Sequence, residues 1–122
     1  MLPMPLDPTG LPGLTVTTAE PVPGMFVLTA VGEIDAATVD RFRAELLDVC
    51  ALGDRLVVDL SRVEFLSCAG LRALEDARSG APGLCVVATH HIVLRALEMT
   101  GVGAWLSVRS SVGDACRDAV SI

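Results

Sequence analysis

Leu56-Val57-Val58-Asp59-Leu60-Ser61-Arg62-Val63-Glu64-Phe65-Leu66-Ser67-Cys68-Ala69-Gly70-Leu71 is the stretch that decides how this chain folds. From Arg55 to Leu60 it reads as a buried strand, apolar at nearly every position, as strands covered on both faces are. A short loop is expected after Leu60. The small residues Ser67 to Gly70 then follow, and they can open a helix. Ser67 suits the N-cap of that helix, where its hydroxyl would accept a backbone N–H and contribute about 1 kcal/mol. Asp59 and Ser61 are expected to hydrogen-bond the turn that leaves the strand.

Upstream, Leu14-Thr15-Val16-Thr17-Thr18 alternates apolar residues with Thr, as a strand does, and Pro21-Val22-Pro23-Gly24 reads as a turn. Met25 to Gly32 is then a second strand, the hairpin partner of the first. Helical periodicity runs from Ala37 to Ala51, with Val39, Phe42, Leu46, Val49 and Cys50 on one face. Downstream of the central stretch, Gly70 to Arg78 reads as a helix with Leu71 and Leu74 inward. The breaker Ser79-Gly80-Ala81-Pro82-Gly83 separates it from an apolar strand, Leu84 to Ala88. A helix is expected from His91 to Met99 with Ile92, Leu94, Ala96 and Leu97 as its apolar set. Gly101 fits its C-terminal cap. Ala104 to Val108 is a last short strand, and Ser111 to Val120 a final helix. Strands and helices alternate after the first hairpin, which argues for an α/β sandwich with mostly parallel central strands.

The central stretch resembles the STAS domain, the fold of bacterial anti-sigma factor antagonists. In that family a strand leads through a motif ending in Asp-Ser-x-Gly-Leu into a helix, and the Ser of that motif is phosphorylated by a partner kinase. Asp59, Ser61, Phe65, Gly70 and Leu71 fall in register, and Ser67-Cys68 stands where the family has Asp-Ser. Gly32-Glu33-Ile34-Asp35 looks like the family's Gly-Glu-[Ile/Leu]-Asp. Leu94 to Val102 is similar to the segment before its last strand. The resemblance covers about residues 14 to 120. It implies a small mixed sheet of about five strands, with about four helices mainly on one face. Residues 1–13, with four of the seven prolines, form an arm ahead of a domain at 14–122.

Composition narrows the function. With 122 residues, 52% hydrophobic but only 3% aromatic, the chain has one domain and an aliphatic core. A net charge of −6, with nine scattered Arg as the only basic residues, argues against nucleic acid as a direct partner. No apolar stretch approaches the roughly 20 residues of a membrane span, and the Pro-broken start does not read as a signal peptide. Cys50, Cys68, Cys85 and Cys116 lack metal-site or framework spacing, so reduced thiols in a cytoplasmic protein are expected. No metal or cofactor is expected either, because His90-His91 has no third ligand at useful spacing.

The resemblance implies a docking surface rather than an active site. Glu33 and Asp35, on a turn after the second strand, would join Ser67, Cys68, Ala69, Gly70, Leu71 and Arg72 in one patch. Asp35 also suits the cap of a helix starting near Ala36. Gly70, lacking a Cβ, would let a partner's backbone or a nucleotide-bearing surface approach closely. Cys68 takes the phosphoacceptor position, and three readings stay open: a switchless binder, phosphorylation moved to Ser67, or oxidation of Cys68 at a helix terminus. A fourth possibility is that Cys68 is simply a small, half-buried packing residue. An enzyme with Cys68 as nucleophile and His90 or His91 as base lacks an evident oxyanion site and orienting group. By resemblance the partner is an anti-sigma factor of the histidine-kinase-like ATPase type, bound by a monomer or weak dimer. The alternative is a single-domain STAS subunit of a lipid-type ABC transporter.

Overall fold

The computed structural model describes residues 13–52, 55–81, 83–101 and 107–113. The chain runs β1 (Leu14–Val22), β2 (Met25–Ile34), α1 (Val39–Cys50), β3 (Arg55–Leu66), α2 (Cys68–Gly80), β4 (Cys85–Val87), α3 (His91–Met99) and β5 (Ser107–Arg109). The five strands lie side by side in sequence order. β1 and β2 form the expected antiparallel hairpin, while β2–β3, β3–β4 and β4–β5 pair in parallel. Each parallel neighbour after β2 is reached through a helix, which supplies the crossover that parallel pairing requires.

Burial follows the apolar pattern. Leu28, Ala30 and Ile34 of β2, Leu56, Val58 and Leu60 of β3 and Val86 of β4 line one face of the sheet. Against it pack Val39, Phe42, Leu46 and Val49 of α1, Leu71, Ala73, Leu74 and Ala77 of α2, and Val93 and Leu97 of α3. A second, smaller cluster of Val27, Val57, Cys85 and Val87 sits apart from this one. It is why β3 and β4 read as continuous apolar runs instead of alternating ones.

Several boundaries differ from the sequence expectation. β3 does not end at Leu60 but continues to Leu66, and the expected loop is strand. Leu60, Val63 and Leu66 are all buried, a spacing of three where a regular strand gives two. The extra residues are absorbed by two irregularities against β2, between Thr29 and Val31 and between Gly32 and Glu33. A bulge adds a residue to one strand without breaking the ladder, so the pattern imitated a loop. Asp59 does hydrogen-bond Ser61, its Oδ1 accepting the backbone N–H at 3.0 Å, but at this irregularity within the strand.

The hairpin strands extend past their expected ends, so Glu33 lies in β2 and not on a turn. α2 begins at Cys68, ahead of Gly70, and runs to Gly80. In α3 the buried pair is Val93 and Leu97, whereas Ile92 and Leu94 are 43% and 36% exposed. The helix rests on the sheet along an i, i+4 stripe; of the expected set Leu97 is on it and Ala96 is half-buried, while Ile92 and Leu94 fall on either side. The final helix is described only to Gly113, and the last strand only from Ser107. The remainder of both, and the arm before Gly13, lie outside the described residues.

Candidate functional site

Because β2 and β3 are parallel, their C-terminal ends emerge at the same edge of the sheet. Glu33 pairs with Phe65 and Ile34 with Leu66. The next bond runs from the cap of α2 to the last residue of β2: the Ser67 N–H donates to the Ile34 carbonyl at 2.9 Å. The acidic segment after β2 and the helix-opening segment after β3 are thereby fastened side by side.

The Asp35 turn is held from within. Asp35 Oδ1 accepts the N–H groups of Ala37 at 2.9 Å and Thr38 at 3.2 Å. Thr38, 2% exposed, donates its hydroxyl to the Glu33 carbonyl at 2.8 Å and accepts the Asp35 N–H at 3.0 Å. Asp35 therefore caps a turn that precedes the helix, and α1 starts at Val39 rather than near Ala36. Thr38 was not singled out from sequence, although an Asp followed three residues later by Thr is a readable turn signal.

Ser67 is the N-cap of α2, with extended backbone (φ −74°, ψ 166°), and its Oγ accepts the Gly70 N–H at 3.2 Å. Its hydroxyl is half-buried and engaged in the cap, as expected. Cys68, the first helical residue, is exposed, not half-buried. Arg72 lies exposed one turn further on, and Ala69 is half-buried. The amide end of α2 carries the positive end of the helix dipole, so this tip favours a negative group.

Two residues expected on the patch have other roles. Leu71 is 3% exposed and packs in the core. Gly70 is also buried, and a Cβ there would lie 2.6 Å from Leu66 Cδ1 and 2.9 Å from Ile34 Cγ2. Its lack of a side chain lets α2 settle onto the ends of β2 and β3. The expectation of close approach by a partner is thus replaced by a packing reason.

Arg43 of α1 reinforces the tip. It forms an ion pair with Asp76 at 2.7 Å and donates a longer bond, 3.5 Å, to the Ala69 carbonyl. Cys50 Sγ donates to the Ala77 carbonyl at 3.7 Å between the same two helices, and burial pushes its thiol pKa up from 9.0. His90 and His91 stack on each other at 4.9 Å, and His90 Nδ1 accepts the Ile92 N–H as the N-cap of α3. Among the described residues no group of three His, Cys, Asp or Glu could hold a metal ion. Nor is any described helix long and apolar enough to cross a membrane.

A search of curated proteins finds no match. Among solved structures, an anti-sigma factor antagonist from Mycobacterium paratuberculosis is similar at 29% identity, with a TM-score of 0.82, over 89% of this chain and 95% of that one. The anti-sigma factor antagonist SpoIIAA in its unphosphorylated form matches at 14% identity and TM-score 0.74, over 88% of this chain and 98% of that one. The murine anion transporter Slc26a9 matches at 21% identity and TM-score 0.69, over 85% of this chain but only 19% of the transporter. The last two establish likeness of fold. The model of the STAS domain family matches residues 17–115, from within β1 to beyond β5 and through the corner where the ends of β2 and β3 meet the tip of α2, and the chain belongs to that family.

Proposed function

We propose that this protein is an anti-sigma factor antagonist that binds an anti-sigma factor of the histidine-kinase-like ATPase type and so frees a sigma factor for transcription. The observation that carries this reading is the fastening of the Glu33–Asp35 segment to the Ser67–Arg72 tip at one sheet edge. The 29%-identical antagonist structure supports the same reading. Exposed Glu33, Cys68 and Arg72 with half-buried Asp35 and Ala69 form the docking surface. Gly70 and Leu71 hold it from beneath. The protein works in the cytoplasm as a monomer or weak dimer, and binds no nucleic acid directly. It performs no catalysis.

Cys68 stands where the family carries its phosphoacceptor, and the binding is switchless. A thiol does not replace a hydroxyl as the acceptor for a Ser/Thr kinase. Ser67, the neighbouring hydroxyl, is committed to the cap of α2. A phosphate at the tip would be tolerated by the helix amides in the free protein and repelled in an interface beside carboxylates. The missing acceptor thus removes the release step while leaving the docking surface.

Calorimetry with each ATPase-type anti-sigma factor of the same genome tests this. Binding at micromolar or tighter Kd is expected, together with no phosphate on Ser67 after incubation with the kinase and ATP. The Cys68→Ser variant is expected to become phosphorylated. No binding to any of them would overturn the reading. A second reading, the STAS subunit of a lipid-type ABC transporter, draws on the occurrence of this fold within a transporter. Co-purification with such a complex in place of an anti-sigma factor would favour it.

A further inference from the structure

Phe65 departs from the pattern of the core. It is one of three Phe in the chain, and Phe42 is fully buried, whereas Phe65 is 43% exposed. The irregularity between Gly32 and Glu33 sets its orientation: Leu66 stays in the core, so its neighbour Phe65 faces the other way, paired with Glu33. Val31, 38% exposed, pairs with Arg62 on the same two strands and widens the apolar surface.

We propose that Phe65 is the apolar anchor of the docking surface, inserting into a pocket on the anti-sigma factor whose rim is basic. This rests on the docking reading above and adds the residue that supplies its grip. Large aromatic side chains dominate interface energetics because they bury much area at small entropic cost. The rim follows from charge. The exposed carboxylates of Glu33 and Glu64 flank the ring, through the strand pair and the chain respectively, and Asp35 follows at the turn, while exposed Arg62, opposite Val31, bounds this acidic surface on the side away from the strand ends. The face of the ring itself attracts cations. The footprint therefore wraps from the tip of α2 around the strand ends onto the side of the sheet that carries Phe65.

Calorimetry and surface resonance with the anti-sigma factor that binds wild type test the assignment, using Phe65→Ala, Phe65→Leu and Val22→Ala. Val22 is a control of similar exposure, 39%, on β1. F65A is expected to weaken binding at least tenfold, mostly through faster dissociation, while F65L loses less and V22A leaves Kd unchanged. Far-UV circular dichroism is expected to be unchanged in all three. A folded F65A that binds within twofold of wild type overturns the proposal and leaves the docking reading standing. Failure of wild type to bind any ATPase-type anti-sigma factor overturns both. If F65A does not fold, hydroxyl-radical footprinting of the wild-type complex decides: protection of Phe65 but not Val22 supports the anchor, and an unprotected Phe65 overturns it.

Discussion

Replacing Gly70 by Ala tests whether the tip of α2 is positioned by packing against the strand ends. The added Cβ would lie 2.6 Å from Leu66 Cδ1 and 2.9 Å from Ile34 Cγ2, where carbon atoms ordinarily approach to about 3.5–4.0 Å. Leu66 is 4% exposed and Ile34 0%, so neither side chain has solvent to move into. Ile34 is also β-branched and stiff at χ1. Opposing the clash is the helix preference of Ala over Gly, at most about 0.8–1 kcal/mol and less in the first turn. Overpacking a tight core costs about 1–3 kcal/mol. The balance leaves G70A roughly 1–2 kcal/mol less stable, a fall in Tm of about 4–8 °C for a domain near this size. Urea unfolding of wild type, G70A, L66A and the double mutant measures it. Leu66→Ala opens the space that the new methyl group needs, so the two changes should be non-additive, with the double mutant at least about 0.5 kcal/mol more stable than their sum. A G70A protein as stable as wild type, or strict additivity, would refute the packing explanation.

Further outcomes follow from the same geometry. Ser67→Ala removes the acceptor for the Gly70 N–H and should destabilise by about 1 kcal/mol in denaturant melts, with Ser67→Asp restoring most of it. Arg43→Ala breaks a pair with Asp76 whose partners are 34% and 61% exposed, so the loss should stay below about 1 kcal/mol and vanish in 1 M salt. Iodoacetamide under native conditions should label exposed Cys68 well before half-buried Cys50 and buried Cys85, read by peptide mass spectrometry; equal rates would contradict the burial order. Burial raises the Cys50 pKa, so the unfolded chain ionises first. Its contribution to stability is intact below the unfolded value of 9.0 and is lost as pH rises through the folded pKa. Cys50→Ala should lessen that alkaline decline.

The local elements were legible because their periodicities are undisturbed. The Val39-Phe42-Leu46-Val49 stripe gave α1 its buried face, and the alternation of Leu14-Thr15-Val16 gave β1. Ser67 was readable as an N-cap because capping depends on neighbours within one turn. The extension of β3 was not readable, since its bulges are defined only against β2 and turn a two-residue repeat into a three-residue one. For the same reason Phe65 passed as a loop residue, and its exposure appears only once Leu66 is seen to face the core.

Sequence by itself determined the family, the order of strands and helices, and the chemistry available at the corner: carboxylates at Glu33 and Asp35, a capping hydroxyl at Ser67 and a thiol at Cys68. Tertiary structure alone decided which of these share a surface. Parallel pairing of β2 with β3 delivers both segments to one edge, and the Ser67–Ile34 bond ties them there. It also turned Gly70 and Leu71 inward and Cys68 outward, because the face a helix buries is fixed by what it packs against. Long-range pairing carries no local signature in the chain, and that is why the members of the corner could be named from sequence while their arrangement had to be seen.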